Sequence, residues 1–363
     1  MEYRAIGLMS GSSLDGLDIV FARLQEIAGS WTYEVLCSEC IEYTTDWKSQ
    51  LKGAVHLPAL EYQLLHASYG HFLGTQVNRF IETNDLQHKV ALIASHGHTT
   101  FHEPLRAMTA QLGDGAAIAA ETGLAVVSDL RSMDVALGGQ GAPIVPLGEK
   151  ILFSDHSMFL NIGGIANISF HRKDEVIAFD VCPANAILNQ LAQLEAMDYD
   201  EDGRLASSGV VHPELLLELS SLNYYKLSPP KSLSNNYGMV EIIPILEEYN
   251  IGVADLLSTY CEHIAEQVRA SALPLITKDQ TDMQIFTTGG GAFNKFLVER
   301  LRAKLKENNI SITIPGDEVI KYKEALIMAL LGVLRWREEN TVLASVTGAR
   351  MDSIGGALWL GNH

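Results

Sequence analysis

Basic residues are scarce: 26 Lys and Arg stand against 44 Asp and Glu, a formal net charge of -18 over 363 residues. A field of that sign repels a phosphate backbone, so nucleic acid is not an expected partner. Any polyphosphate held by this chain must be gripped by main-chain N–H groups and a cation, because no basic patch is present. Long apolar runs are missing as well. No stretch reaches the roughly 18 uninterrupted apolar residues of a membrane helix. The opening MEYRAIGLMSGSS has no basic region leading into an apolar run, so neither a secretory signal nor an anchor is expected. The expected location is cytoplasmic, with no membrane partner. Four cysteines, Cys37, Cys40, Cys182 and Cys261, are too few for a disulfide scaffold. Cys37 and Cys40 form a lone CxxC in a segment that reads as a strand, with no second pair to complete a zinc site. GKS/T and GxGxxG are absent, which argues against P-loop and Rossmann nucleotide sites. HExxH and GxSxG are absent too, which argues against a zinc protease and an α/β-hydrolase.

What is present is apolar material for two ordinary domains, since 47% of residues are hydrophobic and 19% charged. Strand-like and helix-like runs alternate along the chain, which predicts an α/β class with mainly buried sheets. The clearest expected strands are Tyr3 to Leu8, Asp18 to Leu24, Val90 to Ser95, Ser157 to Asn161, Val176 to Phe179 and Met283 to Thr288. Expected helices include Leu60 to Ile81, Gly115 to Glu121, Pro183 to Leu194, Val253 to Ala270, Ala292 to Glu307 and Tyr322 to Arg337. A strand, a Gly/Ser turn and a second strand occur twice, in AIGLMSGSSLDGLDIVFARL and in FLNIGGIANISF. The recurrence suggests two halves of like topology whose glycine turns face a shared cleft, although glycine hairpins also recur by chance. No Pro/Ser/Gly-rich linker marks the join, and the expected division is 1–150 and 151–363.

Met9 to Asp18, MSGSSLDGLD, joins two apolar strands through glycines, hydroxyls and two carboxylates. Gly11 and Gly16 permit close backbone approach to a ligand, and Ser12 and Ser13 can hydrogen-bond phosphate oxygens. Asp15 and Asp18 would sit beside phosphate only with a metal or its water shell between them. The same letters also make an ordinary capped hairpin. Gly163 and Gly164, in NIGGIANIS, stand where backbone donors could clasp the other side of a triphosphate or simply close a tight turn. FTTGGGAFN runs from strand to helix, and Gly289, Gly290 and Gly291 suit a base and ribose, or a phosphate, at the helix start. Asp180 closes VIAFD ahead of a helix read from Pro183. A carboxylate at the C-terminal edge of a strand suits a reactive group, and equally a helix cap. His96, His98, His102, Arg131, Asp134 and Gln140 fall in loops after strands. With no carboxylate at metal-site spacing beside them, the histidines are expected to contact a polar substrate.

In this order, GLMSGSSLDGLD, SHGHT, DLRSMDVALGGQGAPIVP, LNIGGIANIS, DEDGRLASSG, SPPKS, TGGGAFN, KEALIMALLG and ASVTGA resemble the motifs of the anhydro-N-acetylmuramic acid kinases of bacterial cell-wall recycling, from Gly7 to Gly355. The resemblance implies the actin-like ATPase fold, two ribonuclease-H-like α/β domains flanking a nucleotide cleft. It assigns Gly11, Ser12, Ser13, Leu14, Asp15, Gly16, Leu17 and Asp18 to the phosphates of ATP. Gly163 and Gly164 become a second phosphate clamp, and Gly289, Gly290, Gly291 and Asn294 the adenosine turn. His98, Arg131, Gln140 and Glu324 are implied as substrate contacts, Asp180 as the catalytic carboxylate, and Mg²⁺ as the companion of ATP with its ligands left open. The implied reaction uses ATP and water to convert 1,6-anhydro-N-acetylmuramic acid to N-acetylmuramic acid 6-phosphate. Two segments depart from the pattern. FDVCPAN stands where the family reads FDTGPGN, so Cys182 and Ala184 replace glycines and the backbone is expected to approach a ligand less closely. LSNNYG, Leu233 to Gly238, replaces TGRExF and removes an arginine and a glutamate. A kinase for another amino sugar, or a nucleotide-binding sensor without catalysis, therefore stays open beside the main reading. The oligomeric state is open too, a homodimer included.

Overall fold

The structure, a computed structural model, describes residues 1–11, 14–172, 176–229, 231–234, 236–276 and 283–361. The chain forms two compact units, one from Met1–Ser154 with Tyr322–His363 and one from Asp155–Lys321.

In the first unit, β1 (Glu2–Ser10), β2 (Gly16–Ile27) and β3 (Ser30–Glu42) form an antiparallel meander. On the other side of β1, β4 (Leu92–Glu103) and β6 (Ala125–Ser128) add in parallel. Two strands complete the sheet: β5 (Met108–Leu112) returns on β4, and β12 (Ala357–Trp359) pairs antiparallel with β6. The order is β12-β6-β4-β1-β2-β3. Alternation along β1 sets its two faces. Ile6 and Leu8 enter a core with Tyr69, Leu73, Val77 and Phe80 of α1 (Ala59–Thr83), and with Ile118 of α2 (Gly115–Thr122). Gly7 faces the other way, and a Cβ there would lie 1.8 Å from the Ala325 carbonyl oxygen. Only glycine lets the late helix lie directly on the strand.

In the second unit, β7 (Met158–Ile162), β8 (Ile165–His171) and β9 (Val176–Pro183) repeat the antiparallel meander. On the far side of β7, β10 (Met283–Thr288) and β11 (Ile310–Thr313) add in parallel, giving the order β11-β10-β7-β8-β9. Its core gathers Leu257, Tyr260, Ile264 and Val268 of a long helix, Val253–Ala272. Each unit thus follows the ribonuclease-H-like plan of three antiparallel strands followed by parallel ones beside the first.

Several boundaries differ from expectation. The strand expected to end at Ser95 runs on to Glu103, paired with β1 and β5, so His96, His98 and His102 lie on a strand rather than in a loop. Three more differ for local reasons. The division expected at residue 150 gave everything after it to the second half, but Tyr322–His363 packs with the first unit. The segment KEALIMALLGVL is buried nearly all round and needs the face of β1 and β4 that Gly7 opens, and β12 needs β6 as its partner. The helix expected from Ala292 starts at Lys295 instead, after a single 3-10 turn, Gly290–Phe293. Asn294 caps it, its Oδ1 accepting from the Leu297 amide at 2.9 Å. The helix expected from Tyr322 starts at Asp317, with Asp317 and Glu318 in its first turn, where carboxylates favour a helix N-terminus.

Candidate active site

The turn between β1 and β2 carries most of the expected phosphate contacts. Ser12 and Ser13 lie outside the described residues. The turn is tight: the Leu14 amide donates to the Gly11 carbonyl at 3.3 Å, and Leu14 has φ 58. Gly16 is held by packing, since a Cβ there would meet the Ile41 carbonyl oxygen at 2.6 Å and the Cys40 Sγ at 2.8 Å. Leu17 turns its side chain into the core, which leaves only its backbone for a ligand. Asp18 points the opposite way and takes a hydrogen bond from the Cys40 thiol. Burial, with help from the neighbouring charges of Glu324 and Asp15, pushes the Asp18 carboxyl up to about 6.

Next to this turn a buried hydrogen-bond chain runs through the same unit. His98 Nδ1 lies 3.2 Å from Ser10 Oγ, which accepts from Tyr43 OH at 2.8 Å, and Tyr43 OH lies 2.6 Å from Tyr69 OH. Arg131 donates through Nε to His96 Nε2 at 2.8 Å and through Nη1 to the Gly141 carbonyl at 2.6 Å. His96 Nδ1 lies 2.9 Å from the Gly97 carbonyl, so Nδ1 carries the proton and Nε2 accepts. Burial and the Arg131 charge together hold His96 down to about 3, a neutral anchor for the guanidinium. Burial also lowers Arg131, to about 10, against the raising effect of Glu324 and Asp134. It stays cationic at neutral pH.

Glu324 is raised by burial, opposed by Lys323 and Arg131. Its neighbour Lys323 is buried and donates to Glu149 Oε1 at 2.7 Å. Asp134 shapes the loop that carries Arg131 and Gln140: it accepts from the Gly141 amide at 2.7 Å and from Thr347 Oγ1 at 2.6 Å. Gln140 is fixed by its backbone, the amide donating to the Thr347 carbonyl at 2.9 Å, while its side chain is exposed. His102 turns to its own hairpin, with Nδ1 3.1 Å from Thr109 Oγ1.

In the second unit, Asp180 sits on β9 with its side chain half-buried. Three contacts hold it. The Leu233 amide donates to Oδ2 at 2.8 Å, Tyr224 OH donates to the Asp180 carbonyl at 2.6 Å, and the Asp180 amide donates to the Lys231 carbonyl at 3.3 Å. Burial raises the carboxyl, and the Leu233 amide partly offsets it. The residue at the cap position of the next helix, Asn185–Gln193, is Ala184, so Asp180 does not cap it. Cys182 and Ala184, the two residues expected to hold the backbone off a ligand, are fully buried in this unit's core. Lys231 Nζ lies 4.6 Å from the ring centre of Tyr224 and 5.7 Å from that of Phe179.

The turn at Gly163 and Gly164 turns its carbonyls toward the start of that helix: Gly164 accepts from Ala184 at 2.7 Å and Gly163 from Asn185 at 3.0 Å. Asn185 also donates from Nδ2 to the Ile162 carbonyl at 3.0 Å. Gly289 has φ +84 and Gly291 would drive a Cβ to 2.3 Å from Ile162 Cγ2, so both are required by the fold. Gly290 meets nothing closer than Asn185 Nδ2 at 3.4 Å. Of the expected adenosine residues, Asn294 is committed to its helix cap. Ser10, Tyr43, Tyr224 and Lys231 are organisers that the sequence reading did not single out. Ser10 and Lys231 sit inside quoted motifs, whereas Tyr43 and Tyr224 carry no local signal.

One ribonuclease-H-like plan built twice, with a glycine turn after the first strand of each unit and a half-buried carboxylate on the third strand of the second, is the plan of the actin-like fold. Among such proteins the chain is placed by its whole length. It belongs to the anhydro-N-acetylmuramic acid kinase family, whose model matches residues 3–361. A relative of that name from Bacillus cereus is 33% identical over 96% of this chain and 97% of its own length. Another, from Bacillus thuringiensis subsp. konkukian, is 32% identical over 96% and 97%. Among solved structures, the (R)-2-hydroxyglutaryl-CoA dehydratase component A of Acidaminococcus fermentans aligns over 91% of this chain and 97% of its own, with TM-score 0.47 and 13% identity. Schistosoma mansoni hexokinase complexed with glucose aligns over 91% and 85%, with TM-score 0.36 and 10% identity. No helix among the described residues is long and apolar enough to cross a membrane.

Proposed function

We propose that this chain is a cytoplasmic kinase that uses ATP and water to convert 1,6-anhydro-N-acetylmuramic acid to N-acetylmuramic acid 6-phosphate. The observation that carries the reading is the state of Asp180. Its Oδ2 is held by the Leu233 amide, its carboxyl is raised by burial, and no protein donor among the described residues engages Oδ1. That leaves one carboxylate oxygen to take a proton, with a basicity above that of an exposed aspartate. In this reading Asp180 removes a proton from a water that adds to the anomeric carbon. The bond from that carbon to O6 breaks, and the freed O6 attacks the γ-phosphorus as ADP leaves. His98, Arg131, Gln140 and Glu324 are the proposed sugar contacts. Gly11 to Asp18, Gly163, Gly164 and Gly290 are the proposed nucleotide contacts.

No group of three metal-ligating side chains gathers among the described residues, so Mg²⁺ would be held mainly by its water shell and the nucleotide, with Asp18 beside it. The charges of Glu324 and Asp15 both raise the proton affinity of Asp18, and a divalent cation or its water shell beside that carboxylate relieves the repulsion. When bound, the ion supplies charge to offset the γ-phosphate. Asp180→Asn tests the reading. It keeps the size and hydrogen bonding of the side chain but cannot accept the proton, so ATP binding by calorimetry should survive and phosphate transfer should fall by about 10²-fold or more. Turnover of the anhydro sugar near the wild-type rate in that variant would sink the mechanism. Phosphorylation of a different amino sugar by the unaltered protein, with none of the anhydro sugar, would redirect the substrate.

A further inference from the structure

We propose that Tyr43, acting through Ser10, fixes the tautomer of His98 so that Nε2–H is presented as a hydrogen-bond donor to an oxygen of the sugar. The proposal rests on the reading of His98 as a sugar contact, and its derivation is a matter of counting protons. Tyr43 has one, and it is committed to Ser10 Oγ at 2.8 Å. The contact of 2.6 Å between Tyr43 and Tyr69 must then be donated by Tyr69. Ser10 accepts from Tyr43 and still holds its own proton, for which His98 Nδ1 at 3.2 Å is the acceptor. Nδ1 is therefore the bare nitrogen and Nε2 carries the hydrogen. The opposite tautomer would aim two protons at one another across that contact, or would turn the proton of Ser10, itself only 3% exposed, away from His98 toward Tyr69.

The consequence lies on the other side of the ring. No hydrogen bond among the described residues engages Nε2, so this donor is unspent. Burial favours the neutral ring, which makes His98 a single-proton donor rather than a cation. Placement supports the role. His98 pairs in register with Ser10 at the end of β1, where the turn Gly11 to Asp18 begins. A neutral donor there selects an oxygen acceptor such as an acetamido carbonyl or a hydroxyl. Tyr43 is a positioning residue in this scheme: it touches Ser10 and Tyr69, not substrate.

Nuclear magnetic resonance of the unliganded protein labelled with ¹⁵N-histidine reads the tautomer directly, with His98 assigned by the signal lost in His98→Gln. The expected pattern is Nε2–H in the wild type, and a shift toward mixed tautomers in Tyr43→Phe. In steady-state assays Tyr43→Phe should raise KM for the anhydro sugar roughly fivefold, the scale of one mis-aimed hydrogen bond, with KM for ATP and kcat near wild type. An amide has no tautomer to set, so in the His98→Gln background the same Tyr43→Phe change should leave KM unmoved. An equal rise in both backgrounds, a rise in KM for ATP instead, or an Nδ1–H pattern in the wild type would each overturn the proposal. A wild-type protein that does not phosphorylate the anhydro sugar would overturn the functional reading and with it the sugar acceptor, while the spectrum would still decide the tautomer.

Discussion

Asp18 shows at the scale of one residue what it costs a fold to bury a carboxylate. Burial and neighbouring carboxylates raise its pKa from 3.8 to about 6, so the ionised form is disfavoured in the folded protein. A folded pKa above the unfolded one means a penalty that is absent below the unfolded value and complete above the folded value. Asp18→Asn should therefore stabilise the unliganded protein at pH 8, by on the order of 2 to 3 kcal/mol, and bring no gain near pH 4. Thermal melts at the two pH values check this, and the same variant should bind Mg·ATP more weakly. The carboxylates, the glycines and Asp180 stand out in the sequence as candidates because each is an unusual residue type at a strand end. Tyr43 was not legible, because it reaches Ser10 across 33 residues and only the sheet brings the two together. Leu17 and Asn294 were legible as motif letters, but the motif does not separate a side chain that packs or caps from one that binds.

At the scale of elements, two glycine turns that look alike in sequence divide into open and packed positions. A Cβ at Gly164 would meet only Ala186 at 3.8 Å, whereas one at Gly291 would collide with Ile162 at 2.3 Å. Gly164→Val should fold and weaken nucleotide binding by calorimetry, whereas Gly291→Val should be destabilised before any ligand is added. Unaltered nucleotide affinity in Gly164→Val would remove that turn from the site. The buried Lys323 to Glu149 pair joins two helices, Asp317–Trp336 and Pro146–Leu152. Lys323→Met alone should cost about 3 to 5 kcal/mol by removing the cation beside a buried carboxylate, and most of that loss should return in Lys323→Met with Glu149→Leu. Chemical denaturation measures both. Strands such as Met283 to Thr288 were read from the sequence to the residue, because β-branched and aromatic runs end there at glycine. The start of the helix at Asp317 was missed because its first turn is polar and its apolar period begins later.

For the whole molecule, the sequence suggested a repeated plan through two strand–turn–strand segments, and both sheets follow that plan from their first strand outward. The return of the C-terminus to the first unit was invisible, because nothing in KEALIMALLGVL names the strands it covers. Protons offer a test that reaches both units. Burial holds His96 in the first and His263 in the second at about 3, against 6.5 for a free imidazole. Their stabilising effect is complete above pH 6.5 and is lost as pH falls toward 3, since the unfolded chain takes up these protons first. Unfolding followed from pH 7 down to pH 4 should show this loss superimposed on the gain from Asp18, with His263→Phe flattening it.

The fold-back of Tyr322–His363 also sets an order of events during synthesis. The second unit is a single stretch, Asp155–Lys321, and every strand of its sheet has left the ribosome while the first unit still lacks its late helix and β12. Until Tyr322–His363 is made, the face of β1 and β4 around Gly7 lacks the helix that covers it in the folded unit. The nascent first unit thus exposes apolar surface for longer than the second, although it is the half made first.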